Sequence, residues 1–504
     1  MMHCVDIPFV KPAPGAATSE LASNFYFAEV FETSAAGNTC TKLNDELHSN
    51  SPLTHVVHIF PDVQFQEITG FGGSFTEASA WLLSRLSTEN RQKILEAYFG
   101  TSGARYSLTR THINSCDFSL GHYSYAPVER DVALEHFSID RDRHHLIPLI
   151  KDAMAISEDG FKIIASPWTA PPWMKDNQDW KGGKLLPEYY PVWATYFFRY
   201  LSAYAEEGIA IWGVTVENEP LGNDCNWESM HFTPQEMNSF VSQHLGPRLR
   251  AEYAAVKIFG FDQNRDEALY EWVDAMYDDP DIGKYFDGTA VHWYASTVES
   301  FPEALAFARA KAPGKHLINT EACVDAQVPA WKDDLWYWSE AATDWGYYWA
   351  PEDRKHLHPK YAPVFRYAAD MIACLNNGVD GWIDWNMVLN RQGGPNWFGN
   401  WCTAPIIVDE ATDEVYFTPL YYTMTHFSRF IRPGARRVAY QAKGEGLLVT
   451  AAANPDGTVA VVLFNATMSP YSVQIELSGF SKKVCLDSRA IQTVIFYQND
   501  INKR

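Results

Sequence analysis

With 504 residues the chain exceeds one ordinary core, and a composition of 46% hydrophobic and 20% charged residues is that of a soluble globular protein with two expected domains, one of them large. A formal net charge of −22 without any basic run excludes nucleic acid as a partner, and no apolar run reaches membrane-spanning length. The eight cysteines stand apart without Cys-x-x-Cys pairs, so neither a zinc site nor a dense disulfide framework is indicated; free thiols are expected, and no metal or cofactor is implied.

Met1 to Gly15 carries three prolines and no apolar export segment. The expected location is the cytoplasm or another soluble compartment, with export open if a leader precedes the sequence. Residues 1–67 hold short β-like runs, Asn24 to Val30 and His55 to Phe60, that do not resemble the start of a barrel. From Ile68 the pattern changes. Eight strand-like runs follow, from Ile68 to Gly73, Tyr106 to Ser115, Phe161 to Thr169, Ile211 to Pro220, Val256 to Gln263, Thr289 to Ala295, Leu317 to Ala322 and Val379 to Asn386.

Amphipathic helical segments separate these runs: Thr76 to Phe99, His145 to Ser157, Pro191 to Gly208, Thr233 to Tyr253, Ala268 to Tyr277, Pro302 to Lys311 and Tyr361 to Asn377. Alternation at this spacing predicts parallel βα units, and eight of them predict a (β/α)8 barrel over residues 68–435. The long insertions Cys116 to Arg143 and Val324 to Lys360 fall on the rim where such barrels carry their sites. Past Arg436 the helices stop, and Thr458 to Phe464 and Ser472 to Leu477, with the turn Asn454-Pro-Asp-Gly457, read as antiparallel strands. The fold class is therefore α/β, a barrel with a side β-sandwich built from both chain ends, 1–67 and 436–504.

The run Ile211 to Pro220 is nearly all apolar until it reaches Glu217-Asn-Glu-Pro220, which sets Asn218 and Glu219 at a strand's C-terminal end. Alone, Glu219 would read as a solvated charge. A second carboxylate, Glu321, ends another apolar run 102 residues later, about three βα units on. Two carboxylates facing each other across one rim are what glycoside hydrolysis needs. A 14% aromatic content, beyond what the core takes up, would suit stacking on sugar rings.

Seven ordered motifs extend the argument: Gly70-Phe-Gly-Gly-Ser-Phe-Thr-Glu-Ala78, Ser115-Cys-Asp-Phe-Ser119, Ser166-Pro-Trp-Thr-Ala-Pro-Pro-Trp173, Glu217-Asn-Glu-Pro220, Val291-His-Trp-Tyr294, Thr320-Glu-Ala-Cys323 and Asp384-Trp-Asn386. Together they resemble the glucosylceramidases of glycoside hydrolase family 30. The resemblance implies a barrel with a side β-domain, Glu219 as general acid/base and Glu321 as nucleophile. It implies that Asp117, Trp168, Asn218, Trp385 and Asn400 bind sugar hydroxyls, with His292 and Tyr294 beside the carboxylates.

The implied activity is that of a retaining β-glycosidase acting on β-glucosides or glycolipids, glucosylceramide-like substrates first. β-Xylosides and β-1,6-glucans are alternatives within the family. The N-terminal disulfide region and secretory signal of lysosomal members are not evident, so their location and activator partner are not carried over. A non-catalytic sugar-binding barrel would require loss of one glutamate, and both are present. A metal-dependent hydrolase would want His-x-His at the end of the first barrel strand, which instead ends Gly-Phe-Gly-Gly; a serine hydrolase would want a G-x-S-x-G elbow, and none follows a strand.

Overall fold

The computed structural model describes residues 25–44, 53–222, 224–326, 331–340, 343, 347 and 350–498. The expectations for Met1 to Gly15, Cys4 and Asn24, and for parts of the insertion after residue 324, lie outside them. The N-terminal segment forms β1 (Phe25–Thr33), the two-residue β2 (Thr41–Lys42) and the long β3 (Leu53–Glu67). Eight parallel strands follow: β4 (Gly70–Phe75), β5 (Leu108–Ile113), β6 (Lys162–Pro167), β7 (Gly213–Thr215), β8 (Lys257–Asn264), β9 (Gly288–His292), β10 (His316–Glu321) and β11 (Gly381–Asn386). They close in the order β10-β11-β4-β5-β6-β7-β8-β9. Leu108, Ile164, Phe259, Ala290, Ile318 and Ile383 fill the interior as a separate apolar cluster, so the barrel is packed and not a pore.

Three expected elements differ. The run from Ile211 to Pro220 is a strand only at Gly213–Thr215, because beyond it the backbone leaves the ladder to present its polar residues. The expected helix Thr76 to Phe99 is two helices, Glu77–Arg85 and Thr88–Phe99, with Ser87 capping the second by accepting from the Asn90 amide. The expected helix Thr233 to Tyr253 runs Pro234–Phe240, then a π-helical turn Val241–Leu245, then Gly246–Glu252. Pro302–Lys311 forms with the expected bounds.

A three-stranded sheet that sequence periodicity did not reveal, β12 (Val388–Asn390), β13 (Ile406–Asp409) and β14 (Glu414–Phe417), follows β11 in the chain. The side domain then adds β15 (Arg436–Lys443), β16 (Leu447–Ala453), β17 (Val459–Asn465), β18 (Tyr471–Leu477), β19 (Phe480–Leu486) and β20 (Ile491–Gln498). Its nine strands pair in the order β19-β18-β3-β15-β16-β17-β20-β1-β2. The N-terminal strands thus complete the sheet of the C-terminal ones. The sheet curls face to face, so that Gln492 Nε2 in β20 donates to the Cys485 carbonyl in β19 at 2.6 Å although five strands intervene.

Strand β17 shows why this domain sits against the barrel. Val459, Val461 and Leu463 point into the sandwich core, whereas Ala460, Val462 and Phe464 belong to the main core. The Phe464 ring meets Phe365, on the helix Pro363–Asn376, edge to face at 5.4 Å. A strand buried on both faces needs no polar alternation, and β17 has none before Asn465.

Candidate active site

Glu219 and Glu321 are brought to one rim by different means. Glu321 is the last residue of β10. Glu219 follows the short β7 in a loop fixed by two backbone bonds: the Asn218 amide donates to the Pro167 carbonyl at 2.7 Å, and the Glu219 amide donates to the Asp262 carbonyl at 2.9 Å. Glu219 adopts φ +48°, as Asp262 adopts φ +54°, the left-handed region that side chains with a Cβ avoid. Two such residues side by side indicate backbone strain held by the surrounding strands at a working site. An oxygen of each glutamate and a ring nitrogen of His292 all lie within 4.8 Å of one another.

A chain of charged groups runs beneath the two carboxylates. Arg110, which sequence reasoning missed, points inward from β5 with no exposure and reaches four partners: Glu321 (Nη1 to Oε2, 2.5 Å), Asp262 (Nη2 to Oδ2, 2.8 Å), Asn218 (Nη2 to Oδ1, 2.8 Å) and Ser166 (Nε to Oγ, 3.0 Å). His292 bridges on the other side, Nδ1 to Glu219 Oε1 and Nε2 to Asp262 Oδ1, each 3.0 Å. Thr320 donates to Asp262 Oδ1 at 2.5 Å, and the Tyr294 hydroxyl donates to Glu321 Oε1 at 3.0 Å.

The electrostatics follow from burial and from these pairs. Burial alone would suppress the charge on His292, but the negative charges of Glu321 and Asp262 outweigh it and raise its pKa to about 9. Burial pushes Asp262 up, yet Arg110 and His292 hold it well below the usual carboxylate range. For Glu321 burial wins, and its pKa rises against the opposing pull of His292 and Arg110. Two cations, Arg110 and His292, therefore face three carboxylates, Asp262, Glu321 and Glu219. With all three ionised the cluster would carry one uncompensated negative charge, so a single bound proton leaves it neutral. His292 has both ring nitrogens engaged as donors, which leaves no lone pair for a metal, and the trio Glu219, His292 and Glu321 does not suit one.

The remaining expected site residues gather on the same rim. Trp168 and Trp385 stack at 5.1 Å, and the Arg110 guanidinium lies 4.8 Å from the first ring and 5.6 Å from the second. Asp117 accepts from Asn400 Nδ2 at 3.2 Å, and its pKa is raised by burial and then by Glu321, which places it in the field of that carboxylate. Glu228, also missed, is fully buried and holds two rim rings, with His122 Nδ1 at 2.8 Å and Trp397 Nε1 at 3.1 Å. A signal for Arg110 existed: it is the one charge inside the otherwise neutral or weakly basic run Leu108–Ile113. Glu217, by contrast, faces the wall, where both its carboxyl oxygens are buried without partners and burial raises its pKa far above the usual range.

The chain matches two family models, described as the glycosyl hydrolase family 30 TIM-barrel domain over residues 68–431 and the glycosyl hydrolase family 30 beta sandwich domain over residues 434–494. It is 34% identical over 470 residues to putative glucosylceramidase 3 of Caenorhabditis elegans, covering 90% of this chain and 84% of that one. It is 36% identical over 436 residues to lysosomal acid glucosylceramidase of Mus musculus, covering 84% and 80%. Among solved structures, the endo-β1,6-glucanase BT3312 superposes with a TM-score of 0.80 at 25% identity, covering 94% of this chain and all of that one.

Proposed function

The chain belongs to glycosyl hydrolase family 30, and from that premise we propose that it is a retaining β-glucosidase of glucosylceramide-like substrates, with Glu219 as general acid/base and Glu321 as nucleophile. The observation that carries this reading is the approach of the two carboxylates to within 4.8 Å, oxygen to oxygen. A retaining pair stands about 5 to 5.5 Å apart, carboxyl to carboxyl, whereas an inverting pair leaves room for a water at about 6.5 to 9.5 Å.

The assignment of roles follows from the neighbours. Glu321, held by Arg110 and Tyr294, has the cation and the donor that keep a carboxylate ready to attack the anomeric carbon. Glu219 lies nearer the opening, its side chain 21% exposed against 9% for Glu321. As the general acid, Glu219 passes a proton to the departing oxygen; the same carboxylate then draws a proton from water to release the sugar. Trp168, Trp385, Asp117, Asn218 and Asn400 would grip the ring and its hydroxyls.

The aglycone side supports an apolar partner. Trp227 meets Phe398 at 5.6 Å, Phe398 meets Trp397 at 5.6 Å, and Phe398, like Leu120 and Leu221, is exposed. An apolar rim of this kind suits a lipid tail. The likeness to an endo-β1,6-glucanase favours a second reading, a β-1,6-glucan, for which the same rings would serve as sugar platforms.

The test is to follow hydrolysis of an aryl β-glucoside by proton NMR and to label the enzyme with a 2-deoxy-2-fluoro-β-glucoside. First-formed β-glucose and a label on the peptide holding Glu321 are expected; first-formed α-glucose overturns the retaining assignment. Rates on glucosylceramide micelles and on β-1,6-glucan separate the two substrates.

A further inference from the structure

Cys323 and Cys402 are 79 residues apart in the chain, yet their sulfurs are 3.5 Å apart in the interior. An isolated antiparallel bridge, Val324 with Thr403, causes this: the Thr403 amide donates to the Val324 carbonyl at 2.8 Å, and the preceding residue of each segment turns into the same pocket. Asp325 completes a triangle. Its Oδ1 lies 3.4 Å from Cys323 Sγ and 3.3 Å from Cys402 Sγ, and its Oδ2 is buried with no hydrogen-bond partner.

These three edges have the dimensions of a coordination face. Tetrahedral zinc, with Zn–S about 2.3 Å and Zn–O about 2.0 to 2.2 Å, sets ligand atoms about 3.8 Å apart for S···S and about 3.6 Å for S···O. The observed 3.5, 3.4 and 3.3 Å fall within a few tenths of those values. Two sulfurs and one carboxylate oxygen form a soft donor set that excludes calcium and magnesium in favour of the zinc class. The unpartnered Oδ2 is the second sign, since a buried carboxylate oxygen without a donor or cation is costly.

We propose that Cys323, Asp325 and Cys402 form a binding site for a soft divalent ion of the zinc or cadmium class, linked to Glu321 through Tyr294. Binding is proton exchange without redox change: the ion replaces the two thiol protons, which leave to solvent, and the sulfurs remain as thiolates. The link is the Tyr294 hydroxyl, 3.0 Å from Glu321 Oε1 and 3.4 Å from Cys323 Sγ. A metal-bound thiolate accepts hydrogen bonds more strongly than a thiol, so occupancy draws that hydroxyl away from Glu321. The ion therefore acts as an inhibitor of the carboxylate beside it.

The experiment uses the full chain with Cys4→Ser and Cys225→Ser substitutions, reduced and chelator-treated under argon, and titrated with cadmium. One equivalent is expected to produce a thiolate-to-cadmium charge-transfer band, to raise Tm, and to lower turnover of an aryl β-glucoside at least tenfold. Adding Cys402→Ser should abolish the band and the Tm shift; Asp325→Asn should keep the band but weaken binding tenfold or more. The band does not depend on any glycosidase activity, so it tests the site separately from the proposed reaction. Folding of each variant is checked by near-UV circular dichroism. Absence of the band, its persistence with Cys402→Ser in a folded protein, or uptake of no cadmium by a reduced protein that forms a Cys323–Cys402 disulfide in air each overturns the proposal.

Discussion

Among the described residues Arg110 is the one cation within ion-pairing distance of Glu321, and it holds Asp262 and Asn218 with the same guanidinium. A planar fork is required for this, because three acceptors lie in different directions from one buried point. Arg110→Lys keeps the charge but loses the fork, leaving at least one buried carboxylate without its partner, which costs about 3 to 5 kcal/mol in comparable cases. Lower Tm together with turnover reduced by two orders of magnitude or more is expected. Wild-type kinetics and stability in this variant would contradict the role given to Arg110.

The two glutamates should fail differently. Glu321→Gln removes the attacking group and should abolish turnover of every substrate. Glu219→Ala removes the proton donor, worth about 10²- to 10⁴-fold, and should lose that factor on alkyl glucosides while sparing the first step on dinitrophenyl glucoside. Rate measurements across leaving groups of graded pKa decide it: a Glu219→Ala variant with no dependence on the leaving group would remove Glu219 from the acid/base role.

Asn218 has its Oδ1 engaged by Arg110, and it can offer its amide hydrogens to a substrate. Those hydrogens should meet the 2-hydroxyl, where hydrogen bonds strengthen as positive charge grows at the anomeric carbon. Asn218→Ala is expected to lower kcat more than it raises KM on a normal glucoside, and to matter little on a 2-deoxy glucoside. Equal losses on both substrates would show that the amide acts elsewhere.

His292 sets a pH dependence of stability. Its folded pKa, about 9, stands above the ordinary 6.5, so its contribution is complete below 6.5 and is lost as pH rises through about 9. Each unit of displacement is worth roughly 1.4 kcal/mol. Urea unfolding should show the wild type losing stability between these two pH values, and His292→Asn lacking that part of the slope. Parallel profiles for the two proteins would mean that His292 is neutral in the fold.

Net charge and rim composition pull in opposite directions on a membrane substrate. The −22 charge repels an anionic surface over about 10 Å at 0.1 M salt, while Leu120, Leu221 and Phe398 give apolar contact. Among the described residues no helix is long and apolar enough to cross a membrane. Soluble aryl β-glucosides and micellar glycolipid should be cleaved readily, and glycolipid in anionic vesicles poorly, improving as salt is added. Faster cleavage with more anionic lipid at low salt would mean that a local basic patch governs docking.

The sequence by itself determined the eight βα units, the β character of both chain ends, and the rim position of Glu219 and Glu321. Each of these is written locally: a period of 3.6 or 2 within a window, a turn signal, a polar residue where an apolar strand stops. Only the tertiary structure decided what surrounds the two carboxylates. Arg110 reaches Asp262 across 152 residues and Glu321 across 211, and Cys323 meets Cys402 across 79. Such contacts depend on which inward-pointing positions share a layer once the barrel closes, and on which loops the rim folds together. Register and closure are properties of the whole sheet, so no window along the chain contains them. The same holds for Glu219, whose left-handed backbone arises because the ends of β6 and β8 hold its loop from both sides.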